Sequence, residues 1–173
     1  MSKGEKINID IPLYIEGMGI VFYSFDAVKN IREGEDFLEQ EYYDPDKVAK
    51  HIKKGDIVGF CTGSSGDYIL KFREGRPTQK IDTSFPISIE LAIVIKGGKL
   101  YIRDLFDLMD WTPKCDETQQ IPLEDGIYDI ILNTRIPKSG IYGDYQEIYV
   151  FINKSNIMPD IQWEGVPQLF KEI

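Results

Sequence analysis

The stretch Ile87-Ser88-Ile89-Glu90-Leu91-Ala92-Ile93-Val94-Ile95-Lys96-Gly97-Gly98-Lys99-Leu100-Tyr101-Ile102 decides the fold. Apolar residues recur at every second position from Ile87 to Ile95, which is the period of a strand with one buried face. The alternation breaks at Gly97-Gly98 and resumes with Leu100 and Ile102. A two-residue glycine turn supplies the positive φ values that tight hairpins demand. The expectation is therefore a hairpin that pairs Ile95 with Leu100 and Ile93 with Ile102, all four on one face.

The same period extends outward in both directions. Ile7, Ile9, Ile11, Leu13 and Ile15 alternate with Asn8, Asp10, Pro12 and Tyr14. Pro12 has no N–H to give a ladder, so this strand belongs at a sheet edge. Residues 20–25 read as a second strand, apolar on both faces. Ile57–Cys61 and Tyr68–Arg73 flank a turn-rich loop, Thr62-Gly63-Ser64-Ser65-Gly66. Residues 127–133 and 147–152 add two more strands, the latter apolar on both faces as a central strand would be. In Glu124-Asp125-Gly126-Ile127-Tyr128 an acidic-Gly-x-Tyr run stands at a strand entrance, where a tyrosine hydroxyl can bond the backbone and pin a sandwich corner. Gly-Asp-Tyr occurs at 66–68 and again at 143–145 and reads as two strand or loop entrances, not a duplicated unit. Residues 159–173, with Trp163, Val166, Leu169 and Phe170, read as a tail docked on the core.

One helix interrupts this pattern. Asp44-Pro45 supplies an N-cap and a first-position proline, Val48, Ala49 and Ile52 follow at helical spacing, and Gly55 supplies the stop. The expected fold is mainly β: an antiparallel two-sheet β-sandwich of about eight strands with one short helix, as a single domain over residues 1–173. A partly open barrel is the alternative.

With 42% apolar and 28% charged residues the chain has the composition of a globular protein. The polar start at Met1–Lys6 shows no signal peptide. No apolar run reaches the roughly 18 residues that span a bilayer. Two cysteines make no disulfide framework, so the cytoplasm is the expected compartment. The net charge of −9 falls mostly on residues 81–173. Such a surface repels nucleic acid and anionic membranes, excludes both as expected partners, and attracts basic proteins.

Few residues suggest catalysis. His51, the only histidine, lies among Lys50, Lys53 and Lys54, which favour its neutral form, and reads as a solvated helix residue. Gly59-Phe60-Cys61-Thr62-Gly63 has the outline of a nucleophile elbow, but a strand pattern follows where that elbow needs a helix. Thr62–Gly66 lacks the Gly-Lys-Ser/Thr ending of a phosphate loop and reads as a flexible hairpin loop. Asp104, Asp107 and Asp110, spaced by three, lack the glycine-bearing loop of a known calcium site and read as solvated acids. No catalytic residue, metal or cofactor is expected.

Two acidic tracts stand out, 33–46 and 104–125. Large apolar groups interleave with the acids: Phe37, Leu38, Tyr42 and Tyr43 in the first, Leu105, Phe106, Leu108, Met109 and Trp111 in the second. Charge that steers a basic partner, combined with aromatic anchors that then bury, is the composition of an inhibitor surface. The candidate contacts are Glu35, Asp36, Glu39, Tyr42, Asp107, Asp110 and Trp111.

The order Tyr68-Ile69-Leu70-Lys71-Phe72, the apolar stretch 85–102, and the corner Ile121-Pro122-Leu123-Glu124-Asp125-Gly126-Ile127-Tyr128 resembles the small bacterial competence-nuclease inhibitors of the ComJ type over about half the chain. The resemblance implies an inhibitor or immunity protein that occludes a basic nuclease or toxin, and it brings no catalytic residues. The alternative expectation is a small-molecule or carbohydrate-binding sandwich, possibly a small enzyme, with a pocket of Tyr and Trp faces.

Overall fold

The computed structural model describes residues 6–171, so the readings made for residues 1–5 and 172–173 lie outside the described residues. Nine strands are present among them: β1 (Asn8–Ile15), β2 (Gly19–Tyr23), β3 (Ile57–Cys61), β4 (Gly66–Glu74), β5 (Ile87–Ile95), β6 (Lys99–Asp104), β7 (Gln120–Pro122), β8 (Gly126–Thr134) and β9 (Gln146–Ser155). They form a five-stranded sheet ordered β1-β4-β9-β8-β5 and a four-stranded sheet ordered β3-β2-β6-β7. Inward side chains of both sheets fall in one hydrophobic cluster that includes Ile11, Phe22, Phe60, Phe72, Ile93 and Val150. β1 lies at a sheet edge with Pro12, and β9, apolar on both faces, is the central strand of its sheet.

The expected hairpin does not form. Ile95 pairs with Gly126 and Ile93 with Tyr128, whereas Leu100 pairs with Ile121 and Ile102 with Phe22. The glycine turn instead carries the chain from one sheet to the other. Gly97 and Gly98 take φ of 107° and 77°, as the turn reading required. Their amides both donate to Asp125 Oδ1, at 3.0 and 2.8 Å, and Leu123 N–H donates to the Gly98 carbonyl. An arch buries Ile93, Ile95, Leu100 and Ile102 as fully as a hairpin would. Each buried side chain is worth roughly 1.5–3 kcal/mol either way. The alternating pattern therefore could not choose between hairpin and arch. The corner at 124–128 does form, with Tyr128 Oη donating to the Glu124 carbonyl at 2.6 Å.

Thr62–Gly66 is likewise no hairpin loop, because β3 and β4 belong to different sheets. Its polar groups are engaged internally. Ser64 O accepts from Thr62 Oγ1 at 2.9 Å and from Tyr68 Oη at 2.7 Å. The sheet is not wholly antiparallel either: β4 runs parallel to β9. The two Gly-Asp-Tyr entrances meet side by side, Asp67 N–H donating to the Gly143 carbonyl at 2.7 Å. Gly66 (φ 140°) and Gly143 (φ 82°) approach so closely that a Cβ on Gly66 would collide with the Gly143 carbonyl.

Three short helices, α1 (Phe25–Val28), α2 (Pro45–Lys54) and α3 (Gln79–Ser84), exceed the single one expected. α2 is capped as read: Asp44 accepts from Asp46 N–H at 2.9 Å, and Gly55 closes the helix at φ 66°. The tail docks along β3, with Cys61 N–H donating to Pro167 O, Leu169 N–H donating to Cys61 O, and Leu169 fully buried. Among the described residues no helix is long and apolar enough to cross a membrane.

Candidate functional site

The two acidic tracts meet. Gly34 N–H donates to the Trp111 carbonyl at 2.8 Å, and Trp111 N–H donates to the Glu35 carbonyl at 3.0 Å. This reciprocal pair stitches 33–36 to the segment after β6. A π-helical turn at Leu38–Tyr42 also packs against the 3₁₀ turn Leu105–Leu108. Asp36 Oδ1 accepts from Glu39 N–H at 2.9 Å and holds the start of the π turn. Among the described residues Glu35, Glu39 and Asp110 have no ion-pair partner, so their charge is uncompensated.

A 3₁₀ turn repeats every three residues, and that period sorts 104–111 into three rows. Leu105, Leu108 and Trp111 point into the core, Trp111 being 1% exposed. Phe106 and Met109 point out, 46% and 44% exposed. The aspartates take the third row, each with its own task. Asp104 accepts from the amides of Glu16, Gly17 and Phe106 at 2.8, 3.2 and 3.0 Å, and Asp107 pairs with Arg103 Nε at 3.0 Å. Asp110 is exposed. Among the described residues, no group of three His, Cys, Asp or Glu is placed to hold a metal ion.

Two expected contacts are thereby relocated. Tyr42 is 4% exposed, and its hydroxyl donates to Ile57 O and accepts from Gly59 N–H at 2.8 Å. Trp111 is covered on one side by Arg103, whose guanidinium lies 5.0 Å from the ring centroid. Both aromatics are core. The spacing of Trp111 from Leu105 and Leu108 carried that signal in the sequence. The outward apolar groups of the second tract are Phe106 and Met109.

Beside the acidic face lies a cleft of about 420 Å³ formed by the end of β2, α1, the chain after it, β6 and the Trp111–Pro113 segment. Tyr23 is one of its lining residues. The Tyr23 ring stacks on Tyr101 at 5.4 Å and meets Trp111 edge-on at 5.5 Å. Burial pushes the Tyr23 phenol up to about 12, although Arg103, 3.3 Å away, pulls the other way.

His51 is not a solvated helix residue. Its Nδ1 lies 2.9 Å from Asp56 Oδ1 and its Nε2 3.5 Å from Glu41 Oε1, and the ring packs near Phe37 and Tyr42. Burial alone would lower its pKa, but the hydrogen bond and charge of Asp56, with the charge of Glu41, outweigh burial and raise it. Lys50, Lys53 and Lys54, beside it in sequence, are exposed. Burial pushes the Cys61 thiol up, away from an activated nucleophile.

No protein-family model matches the sequence, and no curated protein matches it. Solved structures do match the fold. The structure of ComJ, inhibitor of the DNA-degrading activity of NucA, from Bacillus subtilis, superposes with a TM-score of 0.54 at 10% identity, over 88% of this chain and 100% of that one. A protein described as crocagin biosynthetic gene J superposes with a TM-score of 0.54 at 12% identity, over 85% and 97%. The likeness to ComJ thus extends well beyond the half of the chain in which the sequence patterns carried it.

Proposed function

We propose that this protein is a non-enzymatic inhibitor or immunity protein that captures a basic nuclease or toxin on its acidic face. The observation that carries the reading is the bonding of Gly34 and Glu35 to Trp111, which merges two separate acidic tracts into one surface. The shared fold with an inhibitor of a DNA-degrading nuclease supports it. The mechanism is steric and electrostatic. Glu35, Asp36, Glu39, Asp107 and Asp110 occupy the positions that substrate phosphates take on the partner, while Phe106 and Met109 bury against it. Opposite charges accelerate encounter, and the apolar anchors slow release. The same reading takes the two sheets as layers of a sandwich.

The test begins with capture from a lysate at low salt and elution in a salt gradient, since ions screen such steering. The eluted protein is then assayed for DNA degradation with and without the chain. Suppression by the wild type, lost in a Glu35→Lys/Glu39→Lys/Asp110→Lys variant, supports the proposal. Equal suppression by that variant removes the acidic face from it, and absence of any suppressed activity removes the inhibitor. One observation favours a second reading, a small-ligand-binding module: the aromatic cleft beside Trp111.

A further inference from the structure

We infer that the cleft beside the acidic face is the receptor for one arginine side chain of the basic partner. The inference rests on the inhibitor reading above and assigns that partner a specific anchor. Phe25, Ile31, Tyr101, Trp111 and Pro113 are among the residues that line the cleft. Stacking on Tyr23 within 6° of parallel restrains the plane of the Tyr101 ring. Two charged groups stand at the mouth. Lys29 is held by Asp26 at 2.7 Å, whereas Glu33 is exposed and has no ion-pair partner among the described residues. Arg103, beside Tyr23 and Trp111, is matched by Asp107 at 3.0 Å, so Glu33 is the one charge at the cleft left without an ion-pair partner among the described residues.

Aromatic walls with one carboxylate at the rim select a planar, weakly hydrated cation. A guanidinium meets both demands, because it stacks on ring faces and pairs with a carboxylate through parallel N–H groups. A lysine ammonium keeps its water more tightly and gains less from such walls. The cleft also adjoins the acidic surface directly. Glu33 precedes Gly34 and Glu35, the two residues bonded to Trp111, and Trp111 is itself part of the cleft. A partner loop that seats one arginine here brings its flanking cations over Glu35 and Asp110. The volume, about 420 Å³, suits one side chain with part of its backbone.

The experiment uses the intact chain, isotopically labelled, and two probes: acetyl-Gly-Arg-Gly-amide and its citrulline counterpart, which keeps the shape and loses the charge. Amide shifts are followed by NMR at low salt. The arginine peptide is expected to saturate shifts at Phe25, Ile31, Glu33 and Tyr101 and to bind about tenfold more tightly than the citrulline peptide. Glu33→Gln, an exposed change, should weaken it by about threefold, and Tyr101→Leu, which keeps bulk but removes the ring face, by a similar factor. If Tyr101→Leu fails to fold, Glu33→Gln alone decides. Equal binding of both peptides overturns the inference. So do shifts confined to Glu35, Asp36 and Glu39, or a cleft that saturates with indole but not with the arginine peptide. Because neither probe involves a nuclease, such a result leaves the DNA-degradation assay to judge the inhibitor reading separately.

Discussion

The phenol oxygen of Tyr42 accepts the backbone N–H of Gly59 at 2.8 Å while donating to the Ile57 carbonyl, so one side chain of the first acidic tract closes the backbone of β3. A Cβ on Gly59 would stand 2.9 Å from the Tyr42 ring and 2.7 Å from Leu105, which explains the glycine inside a strand. Tyr42→Phe leaves a buried donor and acceptor unpaired. Its expected cost is about 1–3 kcal/mol in denaturant unfolding. Nuclease suppression by the folded fraction should be unchanged, because the ring does not reach the surface.

Phe106→Ser/Met109→Ser should act chiefly on binding. At 46% and 44% exposed the two side chains are only partly buried, so unfolding free energy should fall by about 1–2 kcal/mol, less than a core truncation costs. Partner dissociation, followed by surface plasmon resonance, should accelerate at least about fivefold through loss of two buried anchors. Trp111→Ala, by contrast, should cost about 3–5 kcal/mol of stability as a core truncation. An unaltered dissociation rate in the double serine variant would move the anchor elsewhere.

His51 makes stability depend on pH in a defined direction. Its pKa is raised in the folded state by Asp56 and Glu41. Folding therefore binds a proton more tightly than the unfolded chain, whose histidine titrates near 6.5. The resulting stabilisation is complete below that pH and is lost as pH rises through the higher folded value. Thermal unfolding of wild type should lose stability over that window. His51→Gln should flatten the loss, and an identical pH profile in the variant would assign it to other groups.

Asp125 clasps the arch between the sheets by accepting hydrogen bonds from the Gly97 and Gly98 amides on a single oxygen. Asp125→Ala is expected to lower unfolding free energy by about 1–2 kcal/mol. Hydrogen exchange should show the loss concentrated at Gly97 and Gly98. Protection there equal to wild type would mean that the glycines hold the arch unaided.

Much of the fold was legible in the sequence because strand period, proline and capping chemistry are local. Pro12 marked an edge, Asp44-Pro45 and Gly55 bounded α2, and the 124–128 run marked a corner that Tyr128 closes. Sheet membership was not legible. An arch and a hairpin impose the same burial on Ile93, Ile95, Leu100 and Ile102, so pattern could not separate them. The acidic composition of the two tracts was equally plain, but their junction through Trp111 depends on backbone bonds between distant segments. Placing Tyr42 and Trp111 at the surface followed from reading aromatics among acids as anchors. The three-residue spacing of Leu105, Leu108 and Trp111 pointed to the core instead. His51 was misread because its charged neighbours in space, Asp56 and Glu41, are not the lysines nearest to it in sequence.

The parallel alignment of β4 with β9 has a kinetic consequence. Tyr68 lies opposite Gln146, so β4 has only β1 for a partner until most of the chain is available. The entropy of closing so long a loop must be met before that pairing returns any enthalpy, and topologies of this kind nucleate late. Until then the apolar flank of β4 is an open template for strands of other molecules. Folding is therefore expected to be slow and sensitive to protein concentration.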